Sequence, residues 1–356
     1  MKNLCKLLAG ISLLIFVQKT FSQTKKEIAL LHAKQALYYE DSGKYKEAIP
    51  LLEKAIKLDS GNINYPYELA IAYCNSNEYL KAQNILEPLL THQNVSGMVY
   101  HILGNVYDNL GKPALAISTY ETGIKLFPKS GAIYFELGNI QLKKKDFNIA
   151  LDWFEKGIVA EPGYASNYYR AAILFFNSSE PVWGMIYGEI FLNLEKNTLR
   201  TSAMSKLLFD NYRKNIRLPK DSSFSVSFFT TIALLADKNK KPFAKTVYEP
   251  TIMLSILPEK GVDLHSLCRM RKRFIESYIR SENYLRYPNV LFDYQYRVLK
   301  AGYMDAYNHW ILQEGNQQAY KAWISANSKQ WDNFIKWFIK NNIPLDDNYK
   351  FFRAQY

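Results

Sequence analysis

Residues 97–164 read GMVYHILGNVYDNLGKPALAISTYETGIKLFPKS followed by GAIYFELGNIQLKKKDFNIALDWFEKGIVAEPGY, two segments of 34 residues laid end to end. Leu103-Gly104 falls on Leu137-Gly138, Ala116 on Ala150, Tyr120 on Phe154 and Pro128 on Pro162. Apolar residues recur at three and four, the period of a helix with one buried stripe. Leu103, Val106, Tyr107 and Leu110 line the first helix of the first copy; Leu115, Ile117, Tyr120, Ile124 and Leu126 supply its second. Gly111 accepts left-handed backbone and can end the first helix. Pro128 and Pro162 keep the residue ahead of them out of the helical region and close the second. The spacing predicts two helical hairpins.

The same frame extends backward to 29–62 and 63–96 and forward to 165–198. The eighth position is Ala36, Ala70, Gly104, Gly138 and Ala172, and the twentieth is Ala48, Ala82, Ala116, Ala150 and Gly184. Small residues belong where the two helices of a hairpin approach closely, because bulk there would overpack. The eleventh position carries a ring in Tyr39, Tyr73, Tyr107 and Phe175, with Gln141 the exception. The hairpin turn falls at Gly43, Asn77, Gly111, Lys145 and Ser179, of which the last two suit left-handed backbone less well. Ser60 and Asn94 stand where later copies have proline and can cap the next helix. The fifth copy is degenerate: Ser178-Ser179-Glu180-Pro181 occupies its turn, and Gly188 replaces a bulky residue at position twenty-four. One hairpin cannot bury its own apolar face, so such units stack into a continuous core.

Leucine-glycine, a following aromatic, then alanine, a ring and proline at these offsets resembles the tetratricopeptide repeat (TPR) family. The resemblance implies an all-α, TPR-type α-solenoid over 23–198, whose first helices line a concave, peptide-holding surface. It places the fifth and ninth positions of each repeat on that surface: Ala33 and Leu37, Tyr67 and Ile71, His101 and Asn105, Phe135 and Asn139, Tyr169 and Ile173. Asn105 and Asn139 could donate to and accept from a peptide backbone. Tyr67, Phe135 and Tyr169 would be aromatic anchors, with Asp108 and Asn109 extending a polar strip. None of the ten positions is Lys or Arg, which speaks against the TPR subgroup that clamps carboxylates. The alternative reading of the same residues is that the rings cover the solenoid core and the asparagines are solvated.

The N-terminus has the layout of a secretory signal over residues 1–22. Lys2 and Lys6 precede an apolar run from Leu7 to Val17, and Thr20-Phe21-Ser22 offers small residues for a cut before Gln23. The run is too short to span a bilayer unaided. This predicts a periplasmic or secreted protein with no transmembrane span in the mature chain; the alternative is an uncleaved anchor. The Ser-Gln junction and the Lys-, Asn- and Tyr-rich composition resemble secreted proteins of Bacteroidetes-type bacteria. Cys5 precedes the apolar run, so no lipoprotein box forms. Cys74 and Cys268 remain, and they read as buried thiols more readily than as a pair.

The net charge of +12 is uneven: −2 over 23–198 and +11 over 199–356. A domain boundary is expected near 198, followed by a basic, aromatic-rich helical domain over 199–356. Helical spacing recurs at 199–216, 263–281, 290–299, 304–312, 318–327 and 331–341, and the apolar stretch 224–236 is expected to be a buried helix. Ala301-Gly302-Tyr303 resembles a repeat turn. Trp310, Trp323, Trp331 and Trp337 read as core. The basic excess reads either as a solvated surface or as a patch of Arg269, Arg271, Lys272 and Arg273 for an anionic lipid, polysaccharide or acidic protein. Those four cannot share one helical face, since neighbours diverge by about 100°. No nucleic-acid-binding signature accompanies the charge.

No H-E-x-x-H, G-x-S-x-G, phosphate-binding glycine loop or C-x-x-C is present. His265 and Cys268 share a helix face, but a metal there would need two more ligands and none is near in sequence; a buried histidine beside a thiol is the expectation. No cofactor or metal is expected. The sequence therefore reads as a non-enzymatic scaffold that binds a peptide or protein partner in the cell envelope. The alternatives are a module that binds an anionic envelope surface and an enzyme with its site in 199–356.

Overall fold

The computed structural model describes residues 24–218, 225–229 and 243–356. The expected signal segment 1–22 and most of the expected helix 224–236 lie outside these residues. No described helix is long and apolar enough to cross a membrane. The chain forms two compact units that divide after Pro128.

Unit one consists of helices α1 (24–41), α2 (Tyr45–Leu58), α3 (Asn64–Asn75), α4 (Tyr79–Leu89), α5 (Gly97–Asn109) and α6 (Pro113–Leu126). These are the first three expected hairpins. Each turn is closed by the same bond at the same register: the amide of Lys44 donates to the carbonyl of Tyr39 at 2.8 Å, Glu78 to Tyr73 at 2.8 Å and Lys112 to Tyr107 at 2.9 Å. Left-handed backbone at Gly43 (φ 70°), Asn77 (φ 61°) and Gly111 (φ 72°) makes the bond possible. It satisfies carbonyls that the helix end would otherwise leave without partners.

Unit two opens with α7 (Gly131–Lys143), α8 (Phe147–Ala160), α9 (Ala165–Phe176) and α10 (Pro181–Leu194), the fourth and fifth hairpins. Asp146 bonds Gln141 at 2.9 Å, and Lys145 takes the left-handed conformation (φ 64°) although it carries a Cβ. The register thus overrides residue preference, at a local cost of roughly 1–2 kcal/mol. The fifth turn differs. Ser178 bonds Phe175 through the backbone at 3.0 Å, its hydroxyl accepts from the amide of Glu180 at 3.0 Å, and Pro181 starts α10.

Close packing explains the small residues. A Cβ built on Gly104 would lie 2.1 Å from the Tyr120 ring, and one on Gly138 would lie 2.4 Å from Phe154. Glycine at position eight therefore goes with a ring at position twenty-four. Repeats one and two use the inverse balance, alanine at eight (Ala36, Ala70) with leucine at twenty-four (Leu52, Leu86), all four fully buried. In repeat five position eight stays small (Ala172) and position twenty-four is small as well. Gly188 faces Met204 of α11, with 2.7 Å between its virtual Cβ and the sulfur. What looks like decay in the sequence is the contact that admits the next helix.

Unit two continues with α11 (Leu199–Asn215), α12 (Glu249–Ile256), α13 (Leu264–Arg280), α14 (Asn283–Arg286), α15 (Val290–Lys300), α16 (Met304–Ile311), α17 (Gln317–Ala326) and α18 (Ser328–Lys340). One hydrophobic core runs from Ala150 to Phe351 through all of this, so the change of charge near 198 falls inside a shared core. The described part of 224–236 is not helical. Ser225–Val226 pairs antiparallel with Ile216–Arg217, Ile216 opposite Val226, and both of these apolar residues are buried. Gly302 (φ 82°) and the bond from Tyr303 to Val298 at 3.0 Å reproduce the repeat turn between α15 and α16, as the Ala-Gly-Tyr echo implied. The C-terminal segment returns to α8 and α10. Phe351 is buried against Trp183 and Tyr187, and the Arg353 guanidinium donates to Glu155 at 2.9 Å.

Gly104→Ala is expected to destabilise the protein by about 1–3 kcal/mol through overpacking against Tyr120. Gly61→Ala, where a Cβ meets nothing within 4 Å, should stay within about 0.5 kcal/mol of the parent. Chemical denaturation of both variants reads the difference.

Candidate functional site

In unit one, helix α5 carries His101, Asn105, Asp108 and Asn109. The Tyr120 hydroxyl donates to Asn105 Oδ1 at 2.5 Å, and Asn105 Nδ2 lies 3.2 Å from His101 Nε2. Asn109 Nδ2 donates to the backbone carbonyl of Asn105 at 2.8 Å. Asn105 is therefore neither free nor merely solvated. The ring that packs over Gly104 also fixes its amide, which keeps a second N–H and further lone-pair capacity. Tyr67 on α3 is half-buried; burial, reinforced by Glu68 and Cys74, pushes its hydroxyl pKa up to about 12, so it remains a neutral donor. Asp108 is half-buried and Asn109 exposed.

In unit two, Asn139 on α7 holds the position that Asn105 holds in unit one. Its Nδ2 donates to Glu136 at 3.1 Å. Phe154 stands where the preceding repeat has Tyr120, and it has no hydroxyl to offer. Asn139 Oδ1 is buried with no protein partner as a result, which is unusual for a buried acceptor. Phe135 packs on Phe154 and Tyr164, with ring centroids 5.9 and 6.0 Å away. Tyr169 packs on Phe191 at 4.9 Å, and the Arg200 guanidinium lies over both rings at 5.2 and 5.5 Å. Both rings are engaged by the chain itself.

The expected basic patch on α13 does not exist as one surface. Arg271 points inward and is buried. Arg269 and Arg273 converge on one carboxylate, Glu259, with guanidinium-to-oxygen distances of 2.5 Å each. The bond from Arg269 holds the Glu259 carboxyl below its usual range, outweighing the opposing effect of burial with the help of Arg273. Lys272 is exposed. Successive helical residues point about 100° apart, and here the divergence sends one arginine into the core.

That arginine belongs to a buried polar cluster that the sequence reading missed. Arg271 makes a two-pronged pair with Glu189 of α10, at 2.6 and 2.8 Å. Glu189 also accepts from the Tyr307 hydroxyl at 2.9 Å and from the Gln295 amide. Arg271 donates further to Tyr212 at 2.9 Å and Asn308 at 2.8 Å. Burial acts to strip the charge from Arg271, but Glu189 outweighs it and holds the guanidinium ionised. The cavity beside these groups, lined by Glu189, Tyr212, Tyr248, Arg271 and Gln295, has room of about 10 Å³, about enough for one water. The one sequence signal was Glu189 itself, a lone carboxylate in the apolar run Met185–Leu194; its partners lie 82 or more residues away. Arg271→Met is expected to cost about 3–5 kcal/mol, because it strands a buried carboxylate. Urea unfolding of the variant measures that loss.

Unit one holds a titrating group beside the Tyr67 strip. Burial, with Glu68 and Asp41 nearby, raises the Glu40 pKa from 4.5 to about 7. The folded state therefore prefers Glu40 protonated. The stability this provides is complete below about pH 4.5 and is lost as the pH rises towards 7. Solvent screening of this half-exposed group brings the effect down to roughly 1 kcal/mol. Glu40→Gln should flatten the fall in melting temperature between pH 5 and pH 8 and raise the melting temperature at pH 8.

The tetratricopeptide repeat family pattern matches residues 40–100 and, a second time, 103–165. No curated protein matches the chain. Among solved structures, pilF of Pseudomonas aeruginosa is 19% identical, with 53% of this chain and 86% of that one covered at a TM-score of 0.43. The thermophilic TPR protein TTC0263 of Thermus thermophilus is 14% identical, covering 51% and 98% at 0.43. YrrB, described as a TPR protein with an unusual peptide-binding site, is 19% identical, covering 51% and 94% at 0.33.

Proposed function

Starting from a chain that is a tetratricopeptide-repeat protein, we propose that it is a non-enzymatic scaffold that holds an extended peptide segment of a partner protein in the cell envelope. The observation that carries this reading is Asn139, a repeat-position amide whose buried Oδ1 has no protein partner. An extended peptide supplies backbone N–H groups of the kind this oxygen lacks. The equivalent amide of unit one, Asn105, is held in one orientation by Tyr120 and His101, and a side chain fixed beforehand loses less freedom on binding. Tyr67 offers a neutral hydroxyl on a half-buried ring. The envelope location rests on the basic, apolar and small-residue layout of residues 1–22. The anionic-surface alternative is disfavoured, because one of its four residues is buried and two share a carboxylate.

A crosslinking pull-down from an envelope fraction tests the proposal, with the parent chain compared against Asn105→Ala plus Asn139→Ala. Each lost polar contact is worth roughly 0.5–1.5 kcal/mol, so capture should fall about tenfold for the double variant while its helical circular dichroism is kept. Equal capture by both proteins would remove both asparagines from peptide binding.

A further inference from the structure

From its spacing, His265 is expected to be a buried structural histidine beside Cys268. The structure places it differently. His265 is exposed near the start of α13 and faces His309 of α16, with 3.2 Å between His265 Nδ1 and His309 Nε2. His309 is buried. Its Nδ1 lies 2.9 Å from the backbone carbonyl of Asp305 and 3.3 Å from the Asp305 carboxylate.

A neutral imidazole carries one N–H. Two acceptors at Nδ1 place that hydrogen there and leave the Nε2 lone pair directed at His265. Trp323 stacks on the His309 ring at 4.2 Å and 15°, which holds its plane. A carboxylate and a carbonyl behind Nδ1 are the partners that orient a histidine for metal binding and make its other nitrogen a better donor.

Two imidazole nitrogens each about 2.0–2.1 Å from one ion at a tetrahedral angle stand roughly 3.3–3.4 Å apart. The observed 3.2 Å is close to that spacing. Among the described residues no three His, Cys, Asp or Glu side chains converge. We infer that His265 and His309 form an open two-imidazole site for a late first-row divalent cation of the zinc, nickel(II) or copper(II) class, with solvent completing the coordination on the His265 side. Imidazole suits these ions, and copper(II) should bind tightest.

The test is isothermal titration of the full chain with zinc, nickel(II) and copper(II) in a non-coordinating buffer, set against His265→Ala. Because His265 is exposed, its replacement leaves the core intact, and circular dichroism checks this. The parent should bind one ion with copper(II) tightest, and His265→Ala should weaken that event at least tenfold. Electron paramagnetic resonance of the copper(II) form should resolve two imidazole nitrogens in the parent and fewer in the variant. Absence of binding, equal binding by both proteins or a single-nitrogen spectrum would each overturn the inference and leave the two rings as a hydrogen-bonded pair only.

Discussion

The repeat architecture depends on how close two helices of a hairpin can come. The eighth position of the first helix and the twenty-fourth of the second share one volume, and the chain divides it in three ways. Repeats three and four combine glycine with a ring, repeats one and two combine alanine with leucine, and repeat five has Ala172 and Gly188 at these positions and admits Met204 from the next helix against Gly188. Interiors are packed to crystal density, so such volumes are filled once and cannot be filled twice. The turn bond recurring at 39–44, 73–78, 107–112 and 141–146 keeps the register in which this packing works.

The same packing reaches the candidate binding residues. Tyr120 fills the space over Gly104 with its ring and orients Asn105 with its hydroxyl. Phe154 fills the equivalent space over Gly138 but lacks the hydroxyl, and Asn139 keeps an acceptor with no protein partner. A core substitution of one oxygen atom thus changes what the repeat presents. Within unit two, a different constraint governs the later helices. The Glu189–Arg271 pair joins α10 to α13, and Tyr307, Gln295 and Asn308 draw α15 and α16 to the same point. A buried pair is a weak source of net stability, but its loss is costly and its geometry is demanding, which suits it to fixing how α10, α13, α15 and α16 pack.

The hairpins were readable because their signal is local and repeated: small residues at two fixed offsets, a turn residue between them, and a helical stripe on either side. Gly302 was readable for the same reason. Readings based on density or composition fared differently. The charge change at 198 is a surface property, and the core beneath it runs on through Ile190, Leu192, Met204 and Leu208. Arg269, Arg271 and Arg273 lie close in sequence, but helical rotation turns Arg271 inward to Glu189 while Arg269 and Arg273 share Glu259. His265 looked like Cys268's neighbour because the two are three residues apart, whereas its actual partner, His309, lies 44 residues away. The stretch 225–229 was apolar enough for a helix, but Val226 pairs across to Ile216. Long-range partners of this kind leave no period in the chain.

The claim that positions eight and twenty-four share one volume is tested most directly by a double-mutant cycle on repeat three, with Gly104→Ala, Tyr120→Leu and the pair together. The pair recreates the alanine–leucine combination of repeats one and two. If the volumes are shared, the double variant should be more stable than the sum of the single losses predicts, with a favourable coupling of about 0.5–3 kcal/mol. Simple additivity of the two losses would contradict the account.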